Sequence, residues 1–357
     1  MMKSRYRVIG VMSGTSLDGL DIASCVFENS KAGWKYDVEH AVTLRYPASL
    51  QRRLGGAHLL SGEELMALDA EYGSFIGQAV GKFREGLKGR VDFIASHGHT
   101  IFHQPSRGFT TQIGNGYSIH VASSLPVVCD FRMQDVAFGG EGAPLVPIGD
   151  RLLFGEYDVC LNLGGIANLS VEVKGKRIAY DVCFCNMALN ALAGEASKKF
   201  DKNGMMAAQG IINKKLLSSL VKKYKRLRGN RPSLGREIFE NDFVQLLIDK
   251  SVSLPDRMAT FTESAAIEIC DAIRSEKKEA QVLCTGGGAF NSFLISRMLE
   301  YGGDEITFNI PDDDVVKFKE ALIFAFLGVL RVRNEVNCLK SVTGASRDSS
   351  SGTMIGF

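Results

Sequence analysis

Twice in this chain an apolar run breaks at a glycine-bearing polar tip, resumes as a returning strand, and is followed by a third strand and a helix. The first instance opens with Val8-Ile9-Gly10-Val11-Met12. It turns through Ser13, Gly14, Thr15, Ser16, Leu17, Asp18 and Gly19, and alternates again through Leu20, Ile22 and Ala23. Residues 36–46 supply the third strand. Apolar positions at helical spacing behind Ser61, Glu63 and Glu64 predict a helix over 62–87. The second instance runs from Val159-Cys160-Leu161-Asn162-Leu163 through Gly164-Gly165-Ile166-Ala167-Asn168 to strands over 169–173 and 177–182 and a helix over 186–197. Such a repeat constrains the fold strongly: it predicts a duplicated α/β protein, divided at 1–154 and 155–357, with two hairpin tips facing each other across a cleft.

The tips carry the first functional signal. Gly14 and Gly19 are free to take positive φ, which lines up backbone N–H groups as donors for phosphate oxygens. Thr15 and Ser16 add hydroxyls, and Asp18 can hold Mg²⁺ or an attacking group. An ordinary surface hairpin has the same composition. Farther along, a buried strand over 281–284 runs into Thr285-Gly286-Gly287-Gly288 and a helix over 290–299, which would set bare backbone and a helix N-terminus beside a nucleotide. A tight turn explains those glycines equally well.

Between the two instances, a strand over 91–96 ends in His97-Gly98-His99-Thr100, where α/β proteins bind ligands. With i and i+2 on one strand face, His97 and His99, with the later His103, invite a metal, but the spacing matches no common zinc pattern and no carboxylate is nearby in sequence. Hydrogen bonding to a polar substrate is the reading preferred. Residues 110–116 read as a turn between short elements, and 126–131 as a strand leading to Arg132. That arginine either forks onto a carboxylate or pairs at the surface with Asp130 or Asp135. Glu320 lies among apolar residues of a helix over 316–333, at the helix edge or in a cleft. The tail 342–357 shows no helical period.

Bulk properties narrow the class. A net charge of +2 over 357 residues argues against a nucleic-acid partner, and the basic run 222–226 reads as a solvated helix end. The apolar run 8–12 is too short for a signal peptide, and the most apolar window, 321–330, is shorter than the ~20 residues a membrane helix needs. These features predict a cytoplasmic protein with no membrane association. The eight cysteines lack paired metal spacings and read as reduced core thiols.

Two facing hairpin tips and a later strand–glycine–helix element match the way actin-like sugar kinases and ATPases hold ATP. More specifically, the segments 11–19, 96–98, 111–114, 139–147, 162–170, 286–288 and 342–346 resemble the signature blocks of the anhydro-N-acetylmuramic acid kinase family, and the likeness covers essentially the whole chain. That resemblance implies a ribonuclease H-like fold in two domains, with mixed five-stranded sheets and an ATP cleft between them. It also implies an ATP- and Mg²⁺-dependent reaction of cell-wall recycling. Water opens a 1,6-anhydro sugar while the freed O6 takes the γ-phosphoryl group. Asp181 matches the family's catalytic aspartate. Gly14 to Asp21, with Gly164 and Gly165, would cradle the phosphates and metal, and Gly286, Gly287 and Gly288 the adenosine. His97, His99, Thr100, Arg132, Asn186 and Glu320 would serve the sugar, Arg132 meeting its lactyl carboxylate. A homodimer is the family precedent. Two departures fall beside the sugar site: the usual Asp-Thr-Gly-Pro-Gly-Asn reads Asp181-Val182-Cys183-Phe184-Cys185-Asn186, and the Gln of His-Gly-Gln-Thr is His99. They keep open a nucleotide-binding regulator without transferase activity, or a kinase of the same fold for another sugar.

Overall fold

The computed structural model describes residues 3–14, 17–229 and 233–357. Thr15, Ser16 and the expected helix break near Pro232 lie outside the described residues. The chain forms two compact units, one running to Leu153 and resuming over Phe318–Phe357, the other Phe154–Lys317.

In the first unit, β1 (Arg5–Ser13), β2 (Leu20–Ser30) and β3 (Gly33–Leu44) form an antiparallel meander. β4 (Phe93–Gln104) lies parallel to β1 on its other side, and β6 (Val127–Cys129) parallel to β4; β5 (Phe109–Ile113) is an antiparallel partner of β4. In the second unit, β7 (Val159–Leu163), β8 (Ile166–Val173) and β9 (Lys176–Phe184) repeat the meander. β10 (Ala280–Thr285) and β11 (Ile306–Asn309) repeat the two parallel additions. Strand order β3-β2-β1-β4-β6 thus recurs as β9-β8-β7-β10-β11. This is the duplicated α/β half that the repeat predicts, in the actin-like, ribonuclease H-like arrangement that the family resemblance implies. The first sheet differs from the five-stranded expectation: β5 and a final strand, β12 (Thr353–Ile355), bring it to seven.

β12 also corrects the domain division. The tail pairs antiparallel with β6, and Phe318–Phe357 packs with the first unit, so that unit is not the continuous stretch 1–154. Three strand residues carry too little pattern to register as a strand, which is why the tail read as irregular. Likewise, β5 offers only Phe109, Thr111 and Ile113 on one face and Thr110 and Gln112 on the other, too short an alternation to distinguish a strand from the expected turn.

A long helix lies on each side of the first sheet. Gly62–Glu85 begins in a capping box: Ser61 Oγ accepts from the Glu64 N–H, and the Glu64 carboxylate accepts from the Ser61 N–H at 3.1 Å. Its stripe Leu68, Tyr72, Ile76 and Val80 is wholly buried, each side chain contributing about 1.5–3 kcal/mol of transfer free energy. Across the sheet lies Asp313–Val332, whose apolar window is a buried core helix. A Cβ on Gly10 would stand 2.0 Å from the Ala321 carbonyl oxygen, so only glycine lets β1 and this helix meet. No helix among the described residues is long and apolar enough to cross a membrane.

Candidate active site

At the β1–β2 tip the backbone departs from expectation. Among the tip's described residues Leu17 is the left-handed one (φ +57°), and its N–H donates to the Gly14 carbonyl at 3.3 Å. Gly19 serves a close approach instead, since a Cβ there would meet Thr43 Cγ2 at 2.7 Å and the Leu44 oxygen at 2.8 Å. Asp18 is exposed. Asp21 is half-buried and accepts from the Thr43 hydroxyl at 2.6 Å. Burial pushes the Asp21 carboxyl up, the Thr43 bond opposes this, and the Asp18 charge adds to the rise. Two carboxylates close enough to repel form an oxygen donor set suited to Mg²⁺.

β4 does not end before its histidines but carries them inside the strand. Gly98 takes φ +76° between them, and a Cβ there would stand 2.6 Å from the Ile113 carbonyl oxygen, so the position demands glycine on both counts. That left-handed residue breaks the alternation, so the two rings do not share a face. His97 packs edge-on against Phe324 (centroids 4.6 Å apart), and His99 against Tyr72 (6.4 Å). Both rings are buried.

His97 Nε2 accepts from Arg132 Nε at 2.9 Å, and its Nδ1–H donates to the Gly98 carbonyl at 2.9 Å. Arg132 also donates through NH1 to the Gly142 carbonyl at 2.7 Å. Its partners are therefore His97 and Gly142 rather than Asp130 or Asp135, which removes the surface-pair reading. Desolvation pulls the Arg132 guanidinium down to about 10, while the Glu320 charge raises it. Desolvation, then the Arg132 charge, holds His97 well below the ordinary histidine range and neutral at pH 7. Glu320 is exposed, yet surrounding protein pushes its carboxyl up, with Arg132 opposing and Asp21 reinforcing. His97, Arg132, Glu320 and Asp21 thus form one electrostatic cluster in the first unit. Thr100 stands nearby, its Oγ1 accepting from Gln112 at 3.3 Å.

Gly142 owes its position to Asp135, which is fully buried and was missed as a site-supporting residue. The carboxylate accepts from the Gly142 N–H at 2.8 Å, the Thr343 hydroxyl at 2.8 Å and the Cys338 thiol at 3.0 Å. Gly140 leaves room for it, since a Cβ there would lie 2.3 Å from Asp135 Oδ2.

In the second unit, glycines converge where β7 and β10 end. The Gly164 and Gly165 carbonyls accept from the N–H groups of Asn186 (3.1 Å), Cys185 (2.9 Å) and Met187 (3.0 Å), so the tip is tied to the start of the helix Asn186–Glu195. Asn186 Nδ2 donates to the Leu163 carbonyl at 2.9 Å. Gly286 takes φ +81° and sits against Asn162, whose Oδ1 a Cβ would meet at 2.5 Å; a Cβ on Gly288 would meet Leu163 Cβ at 2.7 Å. The glycines do not open the following helix. Gly287–Phe290 is a 3₁₀ turn, and the α-helix starts at Ser292 behind its Asn291 cap.

Asp181 stands apart from this cluster. Register sets Asn162, Asn168 and Asp181 abreast on β7, β8 and β9, which puts Asp181 two strands, about 10 Å, from the asparagine beside Gly286. Its Oδ2 accepts from the Leu234 N–H at 2.8 Å, and it borders a cavity of about 230 Å³ lined by Arg228, Glu268 and Asp271 among others. Desolvation raises the Asp181 carboxyl, and the hydrogen bonds from Leu234 and Ser233 oppose the rise.

The family model for anhydro-N-acetylmuramic acid kinase matches residues 6–356. The chain belongs to that family. Among relatives named anhydro-N-acetylmuramic acid kinase, the protein from Saccharophagus degradans is 32% identical, with 96% of each chain covered. That from Salinibacter ruber is 34% identical over 99% of this chain and 96% of its own. Of solved structures, an activator of 2-hydroxyisocaproyl-CoA dehydratase from Clostridium difficile aligns with a TM-score of 0.42 at 12% identity, covering 93% of this chain and 97% of its own. The enzyme is accordingly a kinase that uses ATP.

Proposed function

We propose that this member of the anhydro-N-acetylmuramic acid kinase family opens the 1,6-anhydro bridge of anhydro-N-acetylmuramic acid and phosphorylates O6, giving N-acetylmuramic acid 6-phosphate during cell-wall recycling. The observation that carries the substrate reading is Arg132. Two of its nitrogens are spent on His97 and Gly142, and NH2 has no protein partner among the described residues. A half-buried guanidinium fixed in this way is ready for the lactyl carboxylate, which distinguishes this sugar from a plain hexosamine. His97, His99, Thr100, Glu320 and Asn186 complete the proposed sugar contacts. Gly14, Thr15, Ser16, Gly19, Gly164 and Gly165 take the phosphates, and Gly286, Gly287 and Gly288 the adenosine.

In the reaction, a water oxygen bonds to C1 as the C1–O6 bond breaks, and the water proton passes to Asp181 acting as base. Its charge also steadies the cationic character that grows at C1. The released O6 takes the γ-phosphoryl group as its bond to the β-phosphate oxygen breaks, ADP leaves, and Asp181 returns its proton to solvent. Asp18, with Asp21 beside it, would hold Mg²⁺, which when bound neutralises phosphate charge.

A coupled ADP assay with the purified full chain tests this reading. ADP release is expected to need both 1,6-anhydro-N-acetylmuramic acid and Mg²⁺, and to stop on chelation. ATP binding in a calorimeter without sugar-stimulated ADP release would favour the non-transferring regulator, and release with N-acetylglucosamine alone would favour a different sugar.

A further inference from the structure

Behind His99 runs a chain of buried hydroxyls that the proposed reaction does not use. Tyr46, buried between β3 and the helix Ala48–Gly55, donates its hydroxyl proton to Ser13 Oγ at 2.7 Å. Tyr46 and Tyr72 are paired oxygen to oxygen at 2.9 Å, and since Tyr46 has one proton, already given to Ser13, Tyr72 is the donor there. Ser13 Oγ in turn lies 2.9 Å from His99 Nδ1, with the Tyr72 hydroxyl also beside it. A buried hydroxyl donor left unsatisfied would cost about 1–3 kcal/mol, and with Tyr46 donating to Ser13 the acceptor at 2.9 Å is Nδ1, to which we assign the Ser13 proton. Desolvation lowers the His99 imidazole, leaving it neutral at pH 7 with a single ring proton. That proton must then sit on Nε2, where no described protein atom accepts it.

His97 shows the opposite arrangement. An arginine N–H only donates, so His97 Nε2 is the bare nitrogen and Nδ1 carries the proton. Two histidines two residues apart are thereby held in opposite tautomers on opposite faces of the sheet, His97 by an arginine that only donates and His99 by a serine hydroxyl that already accepts from Tyr46.

We propose that Tyr72, Tyr46 and Ser13 are positioning residues that lock His99 with its proton on Nε2, so that His99 presents a hydrogen-bond donor to an acceptor oxygen of the sugar. The sugar part rests on the substrate reading above; the tautomer does not.

Nitrogen-15 NMR of the full-length enzyme labelled at histidine reads the tautomer directly, with His99→Gln and His97→Gln identifying the two signals. The expected spectrum near neutral pH has His99 bare at Nδ1 and protonated at Nε2, and His97 reversed. Ser13→Ala should mix the His99 tautomers and raise the sugar KM about fivefold, the worth of one ordinary hydrogen bond, with the ATP KM unchanged. Ser13→Thr should restore both, and Tyr46→Phe, offered in case Ser13→Ala folds poorly, should weaken both in the same direction. His99 protonated at Nδ1 in the unmodified enzyme overturns the proposal, as does a Ser13→Ala protein with mixed tautomers and an unchanged sugar KM. An enzyme that ignores the anhydro sugar but shows the Nε2–H form overturns the substrate reading and upholds the lock.

Discussion

Asp181→Asn should lower sugar-dependent ADP release by about 10³-fold while leaving the fold intact, because a positioned general base supplies about 10²–10⁴. The asparagine side-chain oxygen can still accept from the Leu234 N–H that holds Asp181 Oδ2 at 2.8 Å, so the segment around Leu234 keeps its anchor. What is lost is the ability to take a proton from water. The pH profile carries a second signature. Burial raises the Asp181 carboxyl above the usual aspartate range, and a base works only when deprotonated. Activity should therefore climb as pH rises through that elevated value, with its acid limb above that of an ordinary carboxylate. Turnover by Asp181→Asn like that of the unmodified enzyme, in the coupled assay, would remove Asp181 from the base role. The observed bond to Leu234 would then be its whole function.

Asp135→Ala should destabilise the protein by about 3–5 kcal/mol, because hydrogen bonds to a charged acceptor contribute about 1.5–3 kcal/mol each and buried donors are costly to strand. Three such donors are involved: the Gly142 N–H, the Thr343 hydroxyl and the Cys338 thiol. The substitution also frees the segment whose Gly142 carbonyl accepts from Arg132. Denaturant unfolding is expected to report the loss in stability, and the sugar KM should rise with it. A change below about 1 kcal/mol would mean that water or a rearranged tail takes over the three donors.

The parts of the fold that were legible in the sequence are those set by local periodicity. Both meanders follow from alternation about a polar tip, and Gly62–Glu85 follows from Ser61 and Glu64 ahead of a 3.6-residue stripe. Pairings between distant segments left no local trace. β12 meets β6 more than 200 residues away in sequence, and Asp135 meets Thr343 across a separation of 208. The site divides in the same way. The glycines of 164–165 and 286–288 could be named from composition, but their convergence on Asn162, Leu163 and Asn186 depends on β7 lying beside β10. Shared-face reasoning failed for His97 and His99 because Gly98 adopts φ +76°, which alternation assumes no residue inside a strand will do. Arg132 found His97 instead of a neighbouring aspartate because the β4–β6 pairing brings residues 35 apart into contact.

The most direct measurement is mass spectrometry of the sugar recovered after incubating the full chain with ATP, Mg²⁺ and 1,6-anhydro-N-acetylmuramic acid in oxygen-18 water. The account predicts a product that has gained one water and one phosphoryl group, with the heavy oxygen on C1 and the phosphate on O6. Recovery of the anhydro sugar unchanged, or of a phosphorylated sugar with its bridge still closed, would contradict it.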